Sequence, residues 1–399
     1  MKANLVFYRK VYYNINMRAY KYRIYPDNQQ RQKIAQHFGC SRFVYNWGLE
    51  TKISAYQKDK ESLAYFDLAN RLKSLKEENP WLKEVDSQSL QMALRNLDNA
   101  YTRFFREKKG FPKFHSKQNS RQSYQIPQRC EVLDRAVKIP KLGIVRAKIH
   151  RNFTAKAGTW TISKNPSGQY FVSIVTDETP QVKRKSNNQI GIDLGIKTFA
   201  TCSNGNKISN LKWLRKKSKH LAFVQRQVSH KIKGGQNRRK ANLKVAKTYQ
   251  KIVNQREDWQ HKWSAKLVSE NQVICLEDLS VSNMLKNHSL ARSIQECAWS
   301  SFVSKLEYKA EWYGTQIVKI GRFEPSSKIC SCGEINHELT LADRVWTCKK
   351  CGQTHDRDLL ASQNILKFGM NLISGRDYRI KPVELPELSG AMKQEAQSL

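Results

Sequence analysis

The stretch that decides the fold of this chain is Ile190-Gly191-Ile192-Asp193-Leu194-Gly195-Ile196-Lys197-Thr198-Phe199-Ala200-Thr201-Cys202. Its pattern predicts an apolar strand interrupted by one carboxylate, a glycine-containing tight turn, and a second strand that returns alongside the first. A carboxylate within a buried strand is costly unless a cation neutralises it. Asp193 is therefore either a metal ligand or, in the simpler interpretation, a turn cap or the ion-pair partner of a lysine.

Two later stretches each add a carboxylate at the end of a predicted element. Residues 271–279 form a short β-branched run that places Glu277 at the carboxyl end of a strand. Residues 355–365 predict a helix with Asp356 and Asp358 at its start, where the helix dipole favours negative charge. A strand aspartate, a strand glutamate and a helix aspartate are the hard oxygen ligands that a two-metal nuclease needs. The pattern therefore predicts two Mg²⁺ ions, or Mn²⁺ in their place, at one site.

The composition indicates a nucleic-acid partner. The chain has 399 residues, with 71 Lys+Arg against 34 Asp+Glu and a net charge of +37. A positive surplus of this size, together with many aromatic residues, favours a long polyanion as partner. A ribosome-associated or membrane-surface protein could carry the same charge. Neither would need three carboxylates at the ends of strands and helices.

Targeting signals and disulfides are not expected. No run of 18 apolar residues could span a membrane, and residues 1–16 lack an apolar core of signal-peptide length. Nine cysteines, four of them clustered late in the chain, favour a metal site in a reducing compartment over a disulfide framework. We therefore expect an intracellular, cytoplasmic protein. Met17 is a second possible start, so residues 1–16 are interpreted as an amino-terminal extension of the fold.

The amino-terminal half predicts one strand followed by helices. Residues 17–26 alternate as a strand with a basic outer face, which Pro26 ends. A helix is expected from there to Phe38, a break at Gly39, and a second helix capped by Ser41.

A longer helix is predicted to begin at Ser87 and to pack against other helices through an apolar stripe. The stripe consists of Leu90, Leu94, Leu97, Tyr101, Phe104 and Phe105. The opposite face carries Gln88, Gln91, Arg95 and Asn96. These four side chains could contact base edges or phosphates, or they could form an ordinary solvated face.

Residues 111–180 change to strand patterns. The predicted strands cover residues 136–139, 143–149, 159–163 and 170–175, with a hairpin turn between the last two. Together with the strand near residue 20 they predict one small β-barrel, formed by residues 17–26 and 111–180, into which residues 27–110 are inserted as helices. Residues 181–189 are the predicted linker to a second domain that begins near Ile190.

A strongly basic stretch lies between the first two carboxylates. Residues 212–251 hold 14 Lys or Arg, and no acidic residue occurs between Asp193 and Glu257. Gly234-Gly235 divides the stretch into two predicted helices. The second helix has an apolar face formed by Val245, Tyr249, Ile252, Trp259, Trp263 and Leu267. A solvated basic face is the simpler interpretation, but like charges repel one another unless phosphates neutralise them, so we expect a nucleic-acid channel here.

Four cysteines predict a zinc ribbon over residues 327–354. The two cysteine pairs lie in Cys330-Ser331-Cys332-Gly333 and Cys348-Lys349-Lys350-Cys351-Gly352, with fifteen residues between Cys332 and Cys348, which is typical of one structural Zn²⁺ held by four thiolates. The first pair has one residue between its cysteines instead of the usual two. His337 is therefore a possible substitute ligand, and free cysteines are the alternative. Catalytic zinc is not expected, because protein would fill all four positions of such a site.

These motifs resemble the TnpB family of transposon-encoded nucleases, which are similar to miniature type V CRISPR effectors. The resemblance rests on the sequences around Asp193 and Glu277, the paired Cys-Gly knuckles around Asp343-Arg344-Val345-Trp346, and His355-Asp356-Arg357-Asp358. It covers nearly everything from Met17 to Lys367. The resemblance implies that Asp193, Glu277 and Asp358 are catalytic, with Asp356 as the alternative third carboxylate. The family's usual Asn-Ala-Ala after the last aspartate is replaced here by Leu360-Ala361-Ser362.

The resemblance also implies a fold for the whole chain. It is an α/β multi-domain protein in which a RuvC-like nuclease domain of the RNase H type, residues 190–326 and 355–370, is interrupted by the zinc ribbon. A wedge-type β-barrel carrying a helical recognition insert precedes this domain. Residues 371–399, which lack periodicity, are expected to be a mobile tail.

The function that the resemblance implies is RNA-guided DNA cleavage by a monomer near the nucleoid of a prokaryote. A guide RNA from the transposon end would select double-stranded target DNA, also cut as single strands, beside a short motif. The candidate nucleic-acid contacts are Tyr45, Gln88, Gln91, Arg95, Lys117, Arg121, Arg238, Arg239 and Lys240. The alternatives are a compact CRISPR effector that uses CRISPR RNA, a transposon protein that acts on DNA ends without a guide, and a DNA-binding repressor.

Overall fold

The computed structural model describes residues 17–118, 122–178, 187–340 and 342–375. The predictions for the amino-terminal extension, Arg121, linker residues 181–186 and tail residues 376–399 lie outside these ranges. The chain forms two compact units as far as it is described. One contains the residues up to Thr179 together with Asn242–Lys247, and the other contains Pro180–Ala241 together with Thr248–Leu399.

A seven-stranded antiparallel sheet forms the framework of the first unit within the described residues. Its strands are β1 Met17–Ile24, β2 Gln122–Ile126, β3 Glu131–Val132, β4 Ala136–Ile139, β5 Gly143–Lys148, β6 Ala157–Lys164 and β7 Tyr170–Asp177. The spatial order is β2-β6-β7-β1-β5-β4-β3. All five predicted strands are confirmed, whereas the sequence did not indicate β2 and β3. These two are short and outermost in the sheet, and β2 is polar at three of its five positions.

One face of this sheet is buried. Residues of β7 alternate between buried and partly exposed along the strand, as expected for a sheet with one face on a core. Trp160, Ile162, Val172 and Ile174 lie in this core and are almost completely shielded from solvent.

Three α-helices and one 3₁₀ turn complete the described part of the first unit. They are α1 Asn28–Asp59, α2 Tyr65–Glu78, the 3₁₀ turn Pro80–Lys83 and α3 Ser87–Glu107. The predicted break at Gly39 and cap at Ser41 are wrong, because α1 runs continuously through both residues. Ile34, before Gly39, packs on the sheet core, and Val44, after it, packs against α2 and α3. Burial on both sides of Gly39 outweighs the roughly 1 kcal/mol that a mid-helix glycine costs.

Helix α3 begins at Ser87 as predicted, with Asp86 as its cap. The Asp86 carboxylate accepts a hydrogen bond from the Ser89 backbone N–H at 3.0 Å. Leu90, Leu94 and Leu97 are buried, which confirms the centre of the apolar stripe. Phe105 is 73% exposed, so the prediction that it packs in the stripe is wrong.

The second unit is built on a five-stranded sheet within the described residues. Its strands are β8 Gln189–Asp193, β9 Thr198–Cys202, β10 Lys207–Ser209, β11 Val273–Glu277 and β12 Gln316–Ile320. The spatial order is β10-β9-β8-β11-β12, and β9 runs opposite to the other strands. The predicted hairpin around Asp193 and the strand that ends at Glu277 are both confirmed.

Helices surround this sheet, and a small hairpin adjoins it. The helices are α4 Trp213–Ser229, α5 Gln236–Glu270, α6 Val281–Met284, α7 Ala291–Cys297, α8 Trp299–Tyr313 and α9 Arg357–Ile373. The hairpin consists of β13 Val345–Thr347 and β14 Thr354–Asp356. Helix α9 extends three residues into the stretch predicted as tail. Within the described residues, no helix is long and apolar enough to cross a lipid bilayer.

The prediction of two basic helices divided by Gly234-Gly235 is confirmed by α4 and α5. Ile252 and Leu267 of α5 are buried, as the apolar face requires. Tyr249 is 42% exposed, so its assignment to the packed face is wrong. The Tyr249 side chain extends away from the helix, and its hydroxyl accepts a hydrogen bond from the Gln225 side-chain amide at 3.4 Å.

Two glycines allow α9 to lie directly on the sheet. A Cβ atom at Gly191 would lie 2.1 Å from the Ser362 carbonyl oxygen, and a Cβ at Gly369 would lie 2.3 Å from the Cys275 sulfur. Both distances are far below van der Waals contact, so a side chain at Gly191 would require the α9 backbone to move, and one at Gly369 would require Cys275 to move. Glycine on β8 and glycine on α9 thus fix how closely the helix approaches β8 and β11.

Candidate active site and metal centre

The sheet register brings Asp193 and Glu277 side by side. Strands β8 and β11 are parallel neighbours with Ile192 opposite Leu276, so the next residue of each strand is a carboxylate. Gly191 and Cys275 face α9, and residues two positions further along a strand point to the same side. Asp193 and Glu277 therefore point toward the side of the sheet that α9 covers.

Helix α9 supplies the third carboxylate. Ser362, whose carbonyl meets Gly191, lies one helical turn after Asp358. The charge of Asp358 raises the pKa of Asp193, so Asp358 lies near Asp193. The three carboxylates that the sequence nominated thus lie in one part of the second unit, although among the described residues their oxygen atoms are not as close together as the sulfur atoms of the four ribbon cysteines.

The raised pKa values of Asp193 and Glu277 indicate that nearby cations only partly compensate burial and negative charge. Burial, and then the charges of Glu277 and Asp358, raise the pKa of Asp193 to about 7, against the opposing effect of Arg357 and Arg344. Burial also raises the pKa of Glu277, although a hydrogen bond from the Ser326 hydroxyl opposes this. Partly buried carboxylates that lie near one another, with their charge only partly balanced by arginines, have the properties of a divalent-metal site.

Asp356 is already engaged by other groups. Its carboxylate caps α9 by accepting hydrogen bonds from the backbone N–H groups of Asp358 and Leu359, each at 3.1 Å. Lys207 Nζ lies 2.8 Å from its other oxygen. Although partial burial raises the pKa of Asp356, these hydrogen bonds and the Lys207 charge outweigh burial and lower it. Asp358 is therefore the better candidate for the third metal-binding carboxylate.

Cations lie around the carboxylates, and the sequence did not single them out. Arg344 Nη1 of the hairpin region lies 3.4 Å from Asp358 Oδ1. Arg322 Nη2 lies 2.7 Å from Asp278 Oδ2, next to Glu277 in the chain. The sequence distinguishes Arg344 only as part of the family motif that lies between the two cysteine pairs. Its proximity to Asp358 depends on the hairpin packing beside α9, which local sequence patterns do not reveal.

The four cysteines form one cluster. The sulfur atoms of Cys330, Cys332, Cys348 and Cys351 all lie within 4.8 Å of one another, so together they could hold a metal ion. The single residue between Cys330 and Cys332 is thus compatible with a four-sulfur site. His337 is not a member of this cluster in the part of the chain that is described.

A histidine that the sequence did not nominate for the ribbon contacts the cluster. His355 Nε2 lies 3.1 Å from Cys330 Sγ, and its ring packs against Trp346 with centroids 4.9 Å apart. Burial would raise the pKa of Cys330, but hydrogen bonds from the Cys332 backbone, from His355 and from neighbouring cysteines lower it to about 5. A thiol that ionises this readily is suited to metal binding, because thiolate is the form that binds.

The candidate nucleic-acid contacts have different surroundings. Gln91, Arg95, Lys117, Arg239 and Lys240 are exposed, whereas Gln88 and Arg238 are partly buried. Arg238 donates a hydrogen bond to the Lys231 carbonyl at 2.7 Å.

Tyr45 is less available than the other candidates. It is 6% exposed and stacks on His115 with ring centroids 3.9 Å apart and an interplanar angle of 5°. One face of its ring is therefore already covered. Together with Arg42 and Asn96, Tyr45 lines part of a cleft of about 210 Å³.

An exposed aromatic cluster lies at the end of α3. Phe104 contacts Phe105 and Phe111 with ring centroids 4.9 and 5.4 Å apart. Phe105, Phe111 and Phe114 are 73%, 45% and 56% exposed. The flanking exposed cations are Arg103, Arg106, Lys108, Lys109 and Lys113. Exposed aromatic rings among cations are a surface on which unpaired bases can stack.

Three family models match the chain. OrfB_IS605, described as "Probable transposase", covers residues 172–288. The model "Cas12f1-like, TNB domain" covers residues 299–365, which include the cysteine cluster and Asp358. A model described as "Helix-turn-helix domain" covers residues 17–61, where the structure has β1 and the single uninterrupted helix α1.

Relatives match over nearly the whole chain. A "Putative RNA-guided DNA endonuclease" of Streptomyces pristinaespiralis is 40% identical over 361 residues, covering 88% of this chain and 89% of that protein. "Putative RNA-guided DNA endonuclease InsQ" of Escherichia coli K12 is 29% identical and covers 92% and 98%. The solved Cas12f1-sgRNA-target DNA complex aligns with a TM-score of 0.48 at 12% identity, covering 88% of this chain and 98% of that chain.

The raised pKa of Asp193 predicts how stability depends on pH in metal-free protein. A folded pKa near 7 lies above the ordinary value of 3.8, so the folded state retains a proton that the unfolded state has lost. The free energy of unfolding should therefore fall as pH rises from about 4 to about 7 and stay reduced above that. Asp193→Asn removes this effect. The variant should melt at a higher Tm than the wild type, by more at pH 8 than at pH 5.

Thermal unfolding in a metal chelator would measure this difference. Asp258→Asn is the control, because Asp258 is exposed and has one helical ion pair, with Lys262 at 2.7 Å. A Tm difference for Asp193→Asn that is the same at both pH values would show that Asp193 is not held in a buried, repulsive environment.

Proposed function

The chain belongs to the OrfB_IS605 family of TnpB proteins, and we propose that it is an RNA-guided DNA endonuclease. The adjacent strand ends that carry Asp193 and Glu277, with the Asp358 charge acting on Asp193, support this proposal most directly. Similarity to proteins named as RNA-guided DNA endonucleases supports the guide requirement.

The three carboxylates offer the kind of ligand atom that divalent metal ions such as Mg²⁺ prefer. Asp193, Glu277 and Asp358 offer hard oxygen atoms, and the raised pKa of Asp193 indicates a demand for positive charge. Two Mg²⁺ or Mn²⁺ ions at this position would activate water and stabilise the leaving oxygen in phosphodiester hydrolysis. Asp356 has a different role in this proposal, because it caps α9 and thereby holds Asp358 in the first helical turn.

Arg344 is proposed to contact the scissile phosphate. Its guanidinium lies beside Asp358 and half of its side chain is exposed, so it can reach a phosphate held at the carboxylates. The Cys330, Cys332, Cys348 and Cys351 cluster would hold one Zn²⁺ and so keep the hairpin that carries Arg344 in place.

The positive charge of the protein supports two nucleic-acid partners. We propose that α4 and the first half of α5 hold nucleic-acid backbones, since residues 212–251 contain 14 Lys or Arg and no acidic residue. The exposed face of α3, with Gln91 and Arg95, is the proposed contact for DNA beside the target. Guide pairing would then select the sequence while the protein holds the backbones.

The finer fold assignment is part of this proposal. The mixed sheet of the second unit, with β9 alone reversed, supports an RNase H-like, RuvC-type nuclease domain interrupted by the ribbon. The sheet of the first unit, with α1 to α3 between β1 and β2, supports the wedge-type barrel with a helical recognition insert.

Loss of Asp193 should abolish cleavage without loss of RNA. We expect Asp193→Ala to reduce guide-directed DNA cutting at least 100-fold, because the carboxylate site then lacks a ligand. The RNA that copurifies should be unchanged, because the basic surfaces are intact. Cleavage of a guide-matched DNA duplex in Mg²⁺ measures the loss of cutting. The yield of RNA in the purified protein measures RNA binding.

Asp134→Ala is the matched control, since Asp134 is fully exposed in the first unit. Loss of RNA together with cleavage in Asp193→Ala would contradict the assigned role. Cutting by wild-type protein freed of RNA would instead support an enzyme that acts directly on DNA ends.

Zinc content tests the ribbon. Purified protein should contain one zinc per chain by elemental analysis, and Cys348→Ser should lose most of it, because one of four thiolates is removed. Cys130→Ser is the control, since Cys130 is a free cysteine outside the cluster. Wild-type protein that is free of zinc and unaffected by chelation would refute a structural zinc.

A further inference from the structure

A hydrogen bond fixes one oxygen of Glu277. The Ser326 hydroxyl donates to Glu277 Oε1 at 2.6 Å, and Ser326 is 6% exposed. Glutamate has three rotatable bonds, so a glutamate at the end of a strand can place its carboxylate in several orientations. The hydroxyl selects one of them.

Ser326 is itself held by helix α9. The Asn364 side-chain amide donates to the Ser326 carbonyl at 2.7 Å and to the Ile329 carbonyl at 2.8 Å. An asparagine amide has two protons to donate, and both are used here. Asn364 is 5% exposed, so water does not compete well for these bonds.

This arrangement links three parts of the site. Asn364 lies six residues after Asp358 on α9, and Ile329 immediately precedes the metal-cluster residue Cys330. The Ser326 hydroxyl then reaches Glu277 at the end of β11. The buried amide of Asn364 therefore fixes the position of Ser326, which is the hydrogen-bond partner of Glu277. It fixes Ser326 relative to α9, which carries Asp358, and relative to the start of the ribbon.

We propose that Ser326 is a positioning residue that orients Glu277 for metal binding, and that Asn364 holds Ser326 in place. The inference rests on the proposed function, because the orientation of Glu277 matters only if Glu277 binds a divalent cation. Groups that orient metal-binding carboxylates typically change metal affinity by 10–100-fold when removed. A role limited to holding the loop would leave metal affinity unchanged.

Ser326→Ala separates these roles. The substitution removes only the hydroxyl, and the backbone carbonyl that bonds to Asn364 remains. We expect Mn²⁺ to bind about 10-fold more weakly, with a Tm close to that of the wild type. Ser326→Thr keeps a hydroxyl at the same position and should restore affinity to within about twofold. Ser269→Ala, which removes an exposed hydroxyl on α5 bonded to the Lys266 carbonyl, should not change affinity.

Direct binding of Mn²⁺ to the protein with its copurified RNA, measured by electron paramagnetic resonance, is the readout. Asp193→Asn is measured in parallel. Loss of bound Mn²⁺ in this variant shows that the Mn²⁺ detected in the wild type is at the carboxylate site. Asn364→Asp should also weaken Mn²⁺ binding although Ser326 is intact, because it removes the amide donor.

Two results would overturn the inference while leaving the proposed function standing. One is wild-type Mn²⁺ affinity in Ser326→Ala when Asp193→Asn has lost binding. The other is a lower Tm with weaker binding that Ser326→Thr does not restore. A wild-type protein that shows no Mn²⁺ binding sensitive to Asp193→Asn would instead remove the proposed metal site, and the inference with it.

Discussion

The placement of Asp193 where it is shielded from water and close to two other carboxylates is the constraint on which the site in the second unit depends. The pKa of Asp193, raised to about 7 by burial and then by the charges of Glu277 and Asp358, reflects the cost of ionising Asp193 at this position. Backbone packing holds the elements that carry these three carboxylates. Glycines at positions 191 and 369 let α9 lie directly against β8 and β11, so the helix start cannot retreat from the strand ends. In the proposed function, divalent cations would balance the charge of the three carboxylates.

The ribbon hairpin shares in this constraint because it leads directly into α9. Strand β14 ends at Asp356, and the next residue begins the helix. The Arg357 side chain donates to the carbonyls of Thr340 and Asp343, and its backbone N–H donates to the Arg344 carbonyl. A metal ion at the four cysteines would thus stabilise the segment that positions both the first turn of α9 and Arg344.

The sequence predicted features that depend on local pattern. An aspartate within an apolar strand, a glutamate at the end of another strand and aspartates at a helix start are visible in single segments, and so is the cysteine spacing. Features that depend on long-range packing were missed or wrong. Helix α1 passes through Gly39 because separate cores bury both of its halves, and Phe105 continues an apolar period but lies where α3 has passed the core. Arg344 and Ser326 reach carboxylates 14 and 49 residues away, which no periodicity reveals.

The central claim is that these three carboxylates together hold the catalytic cations, and anomalous diffraction at the manganese edge tests it most directly. Crystals of the protein with its RNA, soaked in Mn²⁺, should show density bound by Asp193, Glu277 and Asp358, with Ser326 still bonded to Glu277. The Asp356 carboxylate should still accept hydrogen bonds from the backbone of α9 and from Lys207. Manganese held by Asp356 instead of Asp358, or located away from the ends of β8 and β11, would contradict the account.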